Sequence, residues 1–189
     1  MDIKELKPTS IWHYFDAITG VPRPSKKEER IREFLLNFAK DQNLEVQVDK
    51  TGYVVITKEA TPGCEGAPTV ILQAHMDMVC EKNGDVKHDF ERDPIETYID
   101  GEWVKARGTT LGADNGIGMA AAMAVLADKE LKHGRIQALF TVDEETGLTG
   151  AFGLESGMID GKNLLNLDSE DAAEIFIGCA GGIDTTSAF

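Results

Sequence analysis

The chain is poor in cysteine, in basic charge and in long apolar runs, and each shortage excludes something. Its three cysteines, Cys64, Cys80 and Cys179, form no C-x-x-C pair and cannot all be disulfide-bonded. Free thiols suit a reducing compartment, which predicts a cytoplasmic protein. Lys and Arg number 19 against 33 Asp and Glu, a net charge of −14. Nucleic-acid affinity rests largely on cationic side chains meeting phosphate, so neither a nucleic acid nor an anionic membrane surface is an expected partner. The opening residues MDIKELKPTS lack the apolar core of a signal peptide, and secretion by that route is not expected. The longest uncharged apolar stretch, Gly116 to Ala127, falls short of the roughly 20 residues that a membrane-spanning helix needs.

What is present is globular composition: 42% apolar and 28% charged residues over 189 positions. That length suits about one domain with a core of its own. No repeat, low-complexity tract or linker divides it. The acidity is uneven, because residues 1–50 are neutral and the whole excess of carboxylates lies beyond them. A solvated acidic surface explains most such excesses; a convergence of some carboxylates on a cation is the sharper alternative.

Periodicity places the elements. Ile11, Trp12, Phe15 and Ile18 share one face of a helix that starts after Thr9 or Ser10 and ends near Gly20. Ser25 and Glu28 have capping-box spacing, which predicts a second helix with Ile31, Phe34, Leu35 and Phe38 as its apolar stripe. Beyond Asn43 the period falls to two through Leu44, Val46 and Val48, turns at Thr51-Gly52, and continues as β over Tyr53–Thr57. Thr69–Leu72, Ile136–Val142 and Leu164–Leu167 read as buried strands, and Gly116–Lys129 as a helix. Helices mixed with buried strands predict an α/β sandwich around a largely parallel sheet.

The chemistry follows the strands. The first buried run leads into His75-Met-Asp77, the second into Asp143-Glu144-Glu145 and the third into Asp168-Ser-Glu170. Ligands collect outside the carboxyl ends of strands in open α/β sheets, so these residues are candidates for one metal site. Two residues apart on extended backbone, His75 and Asp77 point the same way. Asp77 can then accept one imidazole N–H while the other nitrogen binds metal, although a solvated His–Asp pair at a strand end has the same sequence. Two adjacent carboxylates repel unless something positive lies beside them, and a metal lets Glu144 and Glu145 divide the work of base and ligand.

The segment Arg107-Gly-Thr-Thr-Leu-Gly-Ala-Asp-Asn-Gly-Ile-Gly118 sets three glycines around Asp114 just before a helix. Glycine permits tight turns and close backbone approach. Gly116-Ile-Gly118-Met-Ala-Ala121 has the outline of a dinucleotide-binding turn, but no buried strand immediately precedes it. An EF-hand would need alternating oxygen ligands and a closing Glu, and both are absent. A carboxylate on a rigid loop fits a metal better.

Taken together, LQAHMDMV, HDFERDPI, YIDGEWVKARGTTLGADNGIGMA, GAFGLESG, LDSE and IGCAGGID cover most of residues 70–184. The set resembles the M20 zinc metallopeptidases, and within them the aminoacyl-histidine dipeptidase branch. The resemblance implies a zinc-exopeptidase-like three-layer α/β/α sandwich that hydrolyses dipeptides, Xaa-His and a broader range, with two zinc ions in a complete active site. It further implies that Asp114 bridges the ions, that His75 and Asp168 complete one zinc, and that Glu145 binds the other. Glu144 would be the general base and Asp77 would orient His75. His13, His88 and His133 match no ligand position. A deacylase or carboxypeptidase with the same metal core, or a non-catalytic metal-binding module, are the competing expectations.

Members of that family are much longer. In them a lid domain follows the first catalytic segment and carries the homodimer contact, and a later segment returns a further zinc-binding His. By that resemblance residues 1–183 form the N-terminal segment of the catalytic domain and residues 184–189 the start of the lid. The expectation for this chain is one well-held zinc, a poorly held second one, little hydrolysis, and exposed apolar sheet surface that favours self-association.

Overall fold

In chain order the elements are α1 (Thr9–Thr19), α2 (Glu29–Asp41), β1 (Glu45–Val48), β2 (Val54–Lys58), β3 (Val70–His75), β4 (Thr97–Asp100), β5 (Trp103–Ala106), α3 (Ala113–Ala127), β6 (Ile136–Thr141) and β7 (Asn163–Asn166). The structure is a computed structural model that describes residues 2–147, 150, 153–169 and 174–178. Glu170, Cys179 and the 184–189 segment expected to open a lid lie outside the described residues. Among the described residues no helix is long and apolar enough to cross a membrane.

Five strands form one sheet in the order β1-β2-β6-β3-β7. β1 pairs antiparallel with β2, and β2 antiparallel with β6. β3 runs parallel to both β6 and β7. The α/β class expected from sequence is therefore present, with a mixed sheet whose parallel half is β6-β3-β7. This half matters for function, because its three carboxyl ends point to one edge.

Burial runs along consecutive residues of β2 and β6, so both faces of the sheet's middle are covered. α3 packs on β3 and β6 and also on α1, while α2 packs on β1 and β2. The core draws Phe15 and Ile18 from α1, Ile31, Leu35 and Phe38 from α2, and Met119, Met123 and Leu126 from α3. These are the apolar stripes visible in the sequence, and their burial is what holds short helices in place.

Two local expectations need correction, and a third feature was not anticipated. Ser25 and Glu28 do not cap α2. Lys26 adopts φ +66°, the chain enters the helix only at Glu29, and no side chain caps it. Ser25 and Glu28 instead bond to the site described below. Secondly, β7 is not buried: among the described residues it is an edge strand, with Leu164 48% and Leu165 53% exposed. An apolar run cannot by itself distinguish a central strand from an edge. Thirdly, β4 and β5 form a separate antiparallel hairpin closed by Gly101 at φ +62°. The Asp100-Gly101 dipeptide between alternating residues was the available signal.

Candidate metal centre

His75 is the last residue of β3 and is fully buried. Beyond it the chain is tied to β6, since Met76 N–H donates to the Thr141 carbonyl at 2.8 Å. Asp77 is also fully buried. Its carboxylate stands 3.3 Å from His75 Nδ1 at Oδ1. The same carboxylate accepts from Ser25 Oγ at 2.7 Å, from Glu144 N–H at 3.1 Å and from Glu145 N–H at 3.2 Å. One buried carboxylate thus joins the end of β3, the turn after β6 and the loop before α2. Although burial opposes its charge, the His75, Ser25, Glu144 and Glu145 donors outweigh burial and hold its pKa down at about 2.

With Nδ1 3.1 Å from the Asp77 main-chain carbonyl and 3.3 Å from its carboxylate, His75 aims Nε2 outward. There it meets Asp114 Oδ1 at 2.8 Å and Asp168 Oδ2 at 3.9 Å. Burial disfavours a charged imidazole, yet the bonds to Asp77 and Asp114 prevail and raise the pKa to about 9. Asp114 opens α3, preceded by Gly112 at φ +69°; the Asp114–Asn115 bond is cis, and the regular helix follows. Asp168 stands just past β7, where Leu167 N–H donates to the Gln73 carbonyl at 2.8 Å and Asp168 N–H to Asn166 Oδ1 at 2.8 Å.

His75, Asp114 and Asp168 each present one ligand atom, and the three atoms lie within 4.8 Å of one another. A nitrogen with two carboxylate oxygens is a donor set that zinc accepts, at about 2.0–2.2 Å per bond. The second His75 nitrogen faces a carboxylate, as is usual for an imidazole that ligates metal. The side chains therefore fit such an ion. Asp114 is 63% exposed and Asp168 29%, so the ligand atoms face an open mouth above a buried floor.

Glu144 and Glu145 occupy the turn after β6, half-buried, with Asp143 before them at φ +53°. Glu28 Oε1 accepts the Asp143 N–H at 3.0 Å and the Lys26 N–H at 2.9 Å, which fixes that turn. Burial raises the pKa of Glu144, and Asp168 and Glu145 add to the rise against the pull of His75. Burial also raises that of Glu145, with Asp114 the next contributor. The described structure thus brings His75, Asp77, Asp114 and Asp168 together, with Glu144 and Glu145 on the adjoining turn and outside the close trio of ligand atoms. His13 and His88 instead make edge contacts with Tyr14 and Phe90, and His133 Nδ1 lies 2.7 Å from the Gly134 carbonyl.

Sequence reasoning missed Arg23, which is buried and donates from Nη1 to the Met76 carbonyl at 3.0 Å and the Asp77 carbonyl at 2.8 Å. Its Nη2 donates to the Gly112 carbonyl. The signal, visible only in retrospect, was an arginine between two prolines ahead of a serine.

The chain is 52% identical over 186 residues to the cytosol non-specific dipeptidase of Escherichia coli (strain K12), covering 98% of this chain and 38% of that protein. The crystal structure of aminoacylhistidine dipeptidase from Vibrio alginolyticus superposes with a TM-score of 0.92 at 55% identity, covering 95% of this chain and 36% of that one. Aminopeptidase PepT from Bacillus cereus matches with a TM-score of 0.71 at 29% identity, over 86% of this chain and 43% of that one. The chain spans less than half the length of each of these relatives. The model of peptidase family M20/M25/M40 matches residues 71–185, more than half of the chain, and the chain belongs to that family.

Proposed function

We propose that the chain carries the metal-binding half of a dipeptide-hydrolysing active site, acting on Xaa-His and a broader range of dipeptides in the cytosol. The observation that carries this is the buried His75–Asp77 pair aiming Nε2 at Asp114 and Asp168, in a chain whose relatives are named as dipeptidases. His75, Asp114 and Asp168 would hold one zinc ion, and Asp114 with Glu145 a second. From this chain the second position draws on two carboxylates, where catalytic zinc normally has three protein ligands, so it binds more weakly. When bound, zinc polarises a scissile carbonyl and lowers the pKa of water.

The protein's own groups do the rest. Asp77 keeps His75 in the orientation that presents Nε2. Glu144, whose carboxylate is made more basic by burial and by neighbouring negative charge, takes a proton from the attacking water and delivers it to the departing amine nitrogen. Its backbone N–H is held by Asp77, so the base and the imidazole share one anchor. The whole protein is proposed to work as a homodimer.

Zinc analysis after dialysis tests the reading. One tightly held ion per chain is expected, lost in His75→Ala and retained in Glu144→Gln. Slow release of free amino acids from dipeptides should disappear in Glu144→Gln. Zinc binding indifferent to His75→Ala would overturn the assignment, and a preference for N-acyl amino acids would favour a deacylase instead.

A further inference from the structure

The residues that would touch metal come from four separate segments, and one short segment that touches no metal reaches three of them, those of His75, Asp114 and Glu145. Arg23 grips the Met76 and Asp77 carbonyls with Nη1 and the Gly112 carbonyl with Nη2. Its own carbonyl accepts the Met78 N–H at 3.2 Å, and Pro24 bridges to Met78. Ser25 Oγ holds the Asp77 carboxylate at 2.7 Å. Glu28 pins the segment to the turn after β6 through the Lys26 and Asp143 N–H groups.

The fork of the guanidinium spans the gap between the His75–Asp77 loop and the loop that presents Asp114. A planar cation carries its fixed donors on separate nitrogens and so spans two carbonyl-bearing loops, whereas an ammonium carries all three donors on one atom. The glycines of the Asp114 loop mark the same contact. A Cβ on Gly112 would stand 2.5 Å from Arg23 Nη2, and one on Gly116 would stand 2.8 Å from it. Gly112 and Gly116 therefore give Arg23 room between β3 and α3. Burying a cation is costly unless it is paired with hydrogen-bond acceptors and nearby negative charge. Here both are supplied, by three main-chain carbonyls and by Asp77 and Asp114 close by.

We propose that Arg23 and Ser25 are positioning residues of the metal centre: Arg23 sets the spacing between the loops of His75 and Asp114, and Ser25 fixes the Asp77 carboxylate that orients His75. The inference rests on the metal-site reading above but assigns new residues to it. Removing the hydroxyl loosens a carboxylate that still has its other three partners, so the fold survives while the imidazole's aim does not. Partners one bond removed from a metal ligand are typically worth about 10–100-fold in metal affinity.

The test uses cobalt(II) as a visible probe in place of zinc. The unsubstituted chain should give a cobalt spectrum that His75→Ala abolishes; if it gives none, the metal-site reading fails, and this inference with it. Given that spectrum, Ser25→Ala should weaken cobalt binding about 10-fold and shift the visible bands, with the urea midpoint of the metal-free chain falling by less than the affinity loss accounts for. Ser25→Thr should restore both. Arg23→Lys should weaken binding by at least as much, because a single ammonium nitrogen does not reproduce the span from Nη1 to Nη2. Unchanged affinity and unchanged bands in Ser25→Ala and Arg23→Lys would sink the proposal while leaving the metal site standing. So would a loss of affinity in Ser25→Ala matched by an equal loss of metal-free stability, or one that Ser25→Thr does not restore.

Discussion

Strands β3 and β7 lie side by side and parallel, and each delivers one residue of the candidate metal centre. They do so in opposite ways. β3 runs through the core, and its His75 and the following Asp77 are fully buried with their polar atoms matched to fixed partners. β7 lies at the sheet edge with two half-exposed leucines, and its Asp168 side chain is partly open to solvent. The difference separates two jobs. The β3 side is preorganised, so the energy of its order is already part of the fold. The β7 side presents a carboxylate more open to solvent, on a segment tied to β3 through the Leu167 N–H.

The comparison breaks most visibly at Asp77. Asp77→Asn keeps the shape but turns one acceptor oxygen into a donor facing Ser25 Oγ, the Glu144 and Glu145 N–H groups, or His75. Breaking a buried pair of this kind costs about 3–5 kcal/mol. Denaturant unfolding of the metal-free variant should show that loss, together with loss of zinc. Apolar truncations give the next largest contrast. Leu72→Ala on buried β3 should cost about 2–5 kcal/mol. Leu165→Ala on β7 should cost under about 1 kcal/mol. Equal costs, measured by urea unfolding, would erase the distinction between core and edge strand.

The pH dependence of the metal-free chain sharpens the same contrast. His75 is raised to about 9 in the fold from 6.5, so its contribution is complete below pH 6.5 and is lost as pH rises through 9. The full loss is on the order of 3 kcal/mol. Asp77 is lowered to about 2 from 3.8, so its contribution is present above pH 3.8 and fails as pH falls through 2. Unfolding midpoints should therefore drop on the alkaline side between pH 7 and 9 without metal. His75→Gln should flatten that limb. Zinc uptake at pH 7 should release a proton, because the imidazole that would ligate metal carries one beforehand.

The division between core and edge also explains what could be read from the sequence. His75, Asp77, Asp114 and Asp168, which the structure brings together, could be singled out as candidates from strand ends and a glycine-bound aspartate, and Glu144 and Glu145 lie on the adjoining turn. The helices were legible from their apolar stripes. Burial of β7 was misread, because Leu164 and Leu165 look the same in sequence whether a neighbouring strand covers them or not. Ser25 and Glu28 were misread for a different reason. Capping-box spacing is a local pattern, and here it lost to long-range partners, Asp77 and Asp143, whose proximity no local pattern encodes. Arg23 left only its setting between two prolines as a local signal, since its three acceptors lie more than fifty positions away along the chain.

The smallest stability effect is expected at Asp168, and it is the most discriminating. Asp168 meets His75 Nε2 at 3.9 Å. Burial raises its pKa first; His75 pulls it back down and Asp114 pushes it up, leaving it above its ordinary value of 3.8. An acid whose folded pKa is raised stabilises the fold only when protonated, so that contribution is present below pH 3.8 and lost as pH rises through the folded value. At neutral pH the Asp168 charge therefore works mildly against the metal-free fold. Asp168→Ala should leave metal-free stability at pH 7 within about 0.5 kcal/mol of the unsubstituted chain, or slightly above it. The same substitution removes one of three ligands, so zinc affinity should collapse. Asp77→Asn loses stability and metal together; Asp168→Ala should lose metal alone. If Asp168→Ala destabilised the metal-free chain as much as Asp77→Asn, the Asp168 side would contribute as much to the metal-free fold as β3, and the separation of a buried floor from an exposed rim would fall.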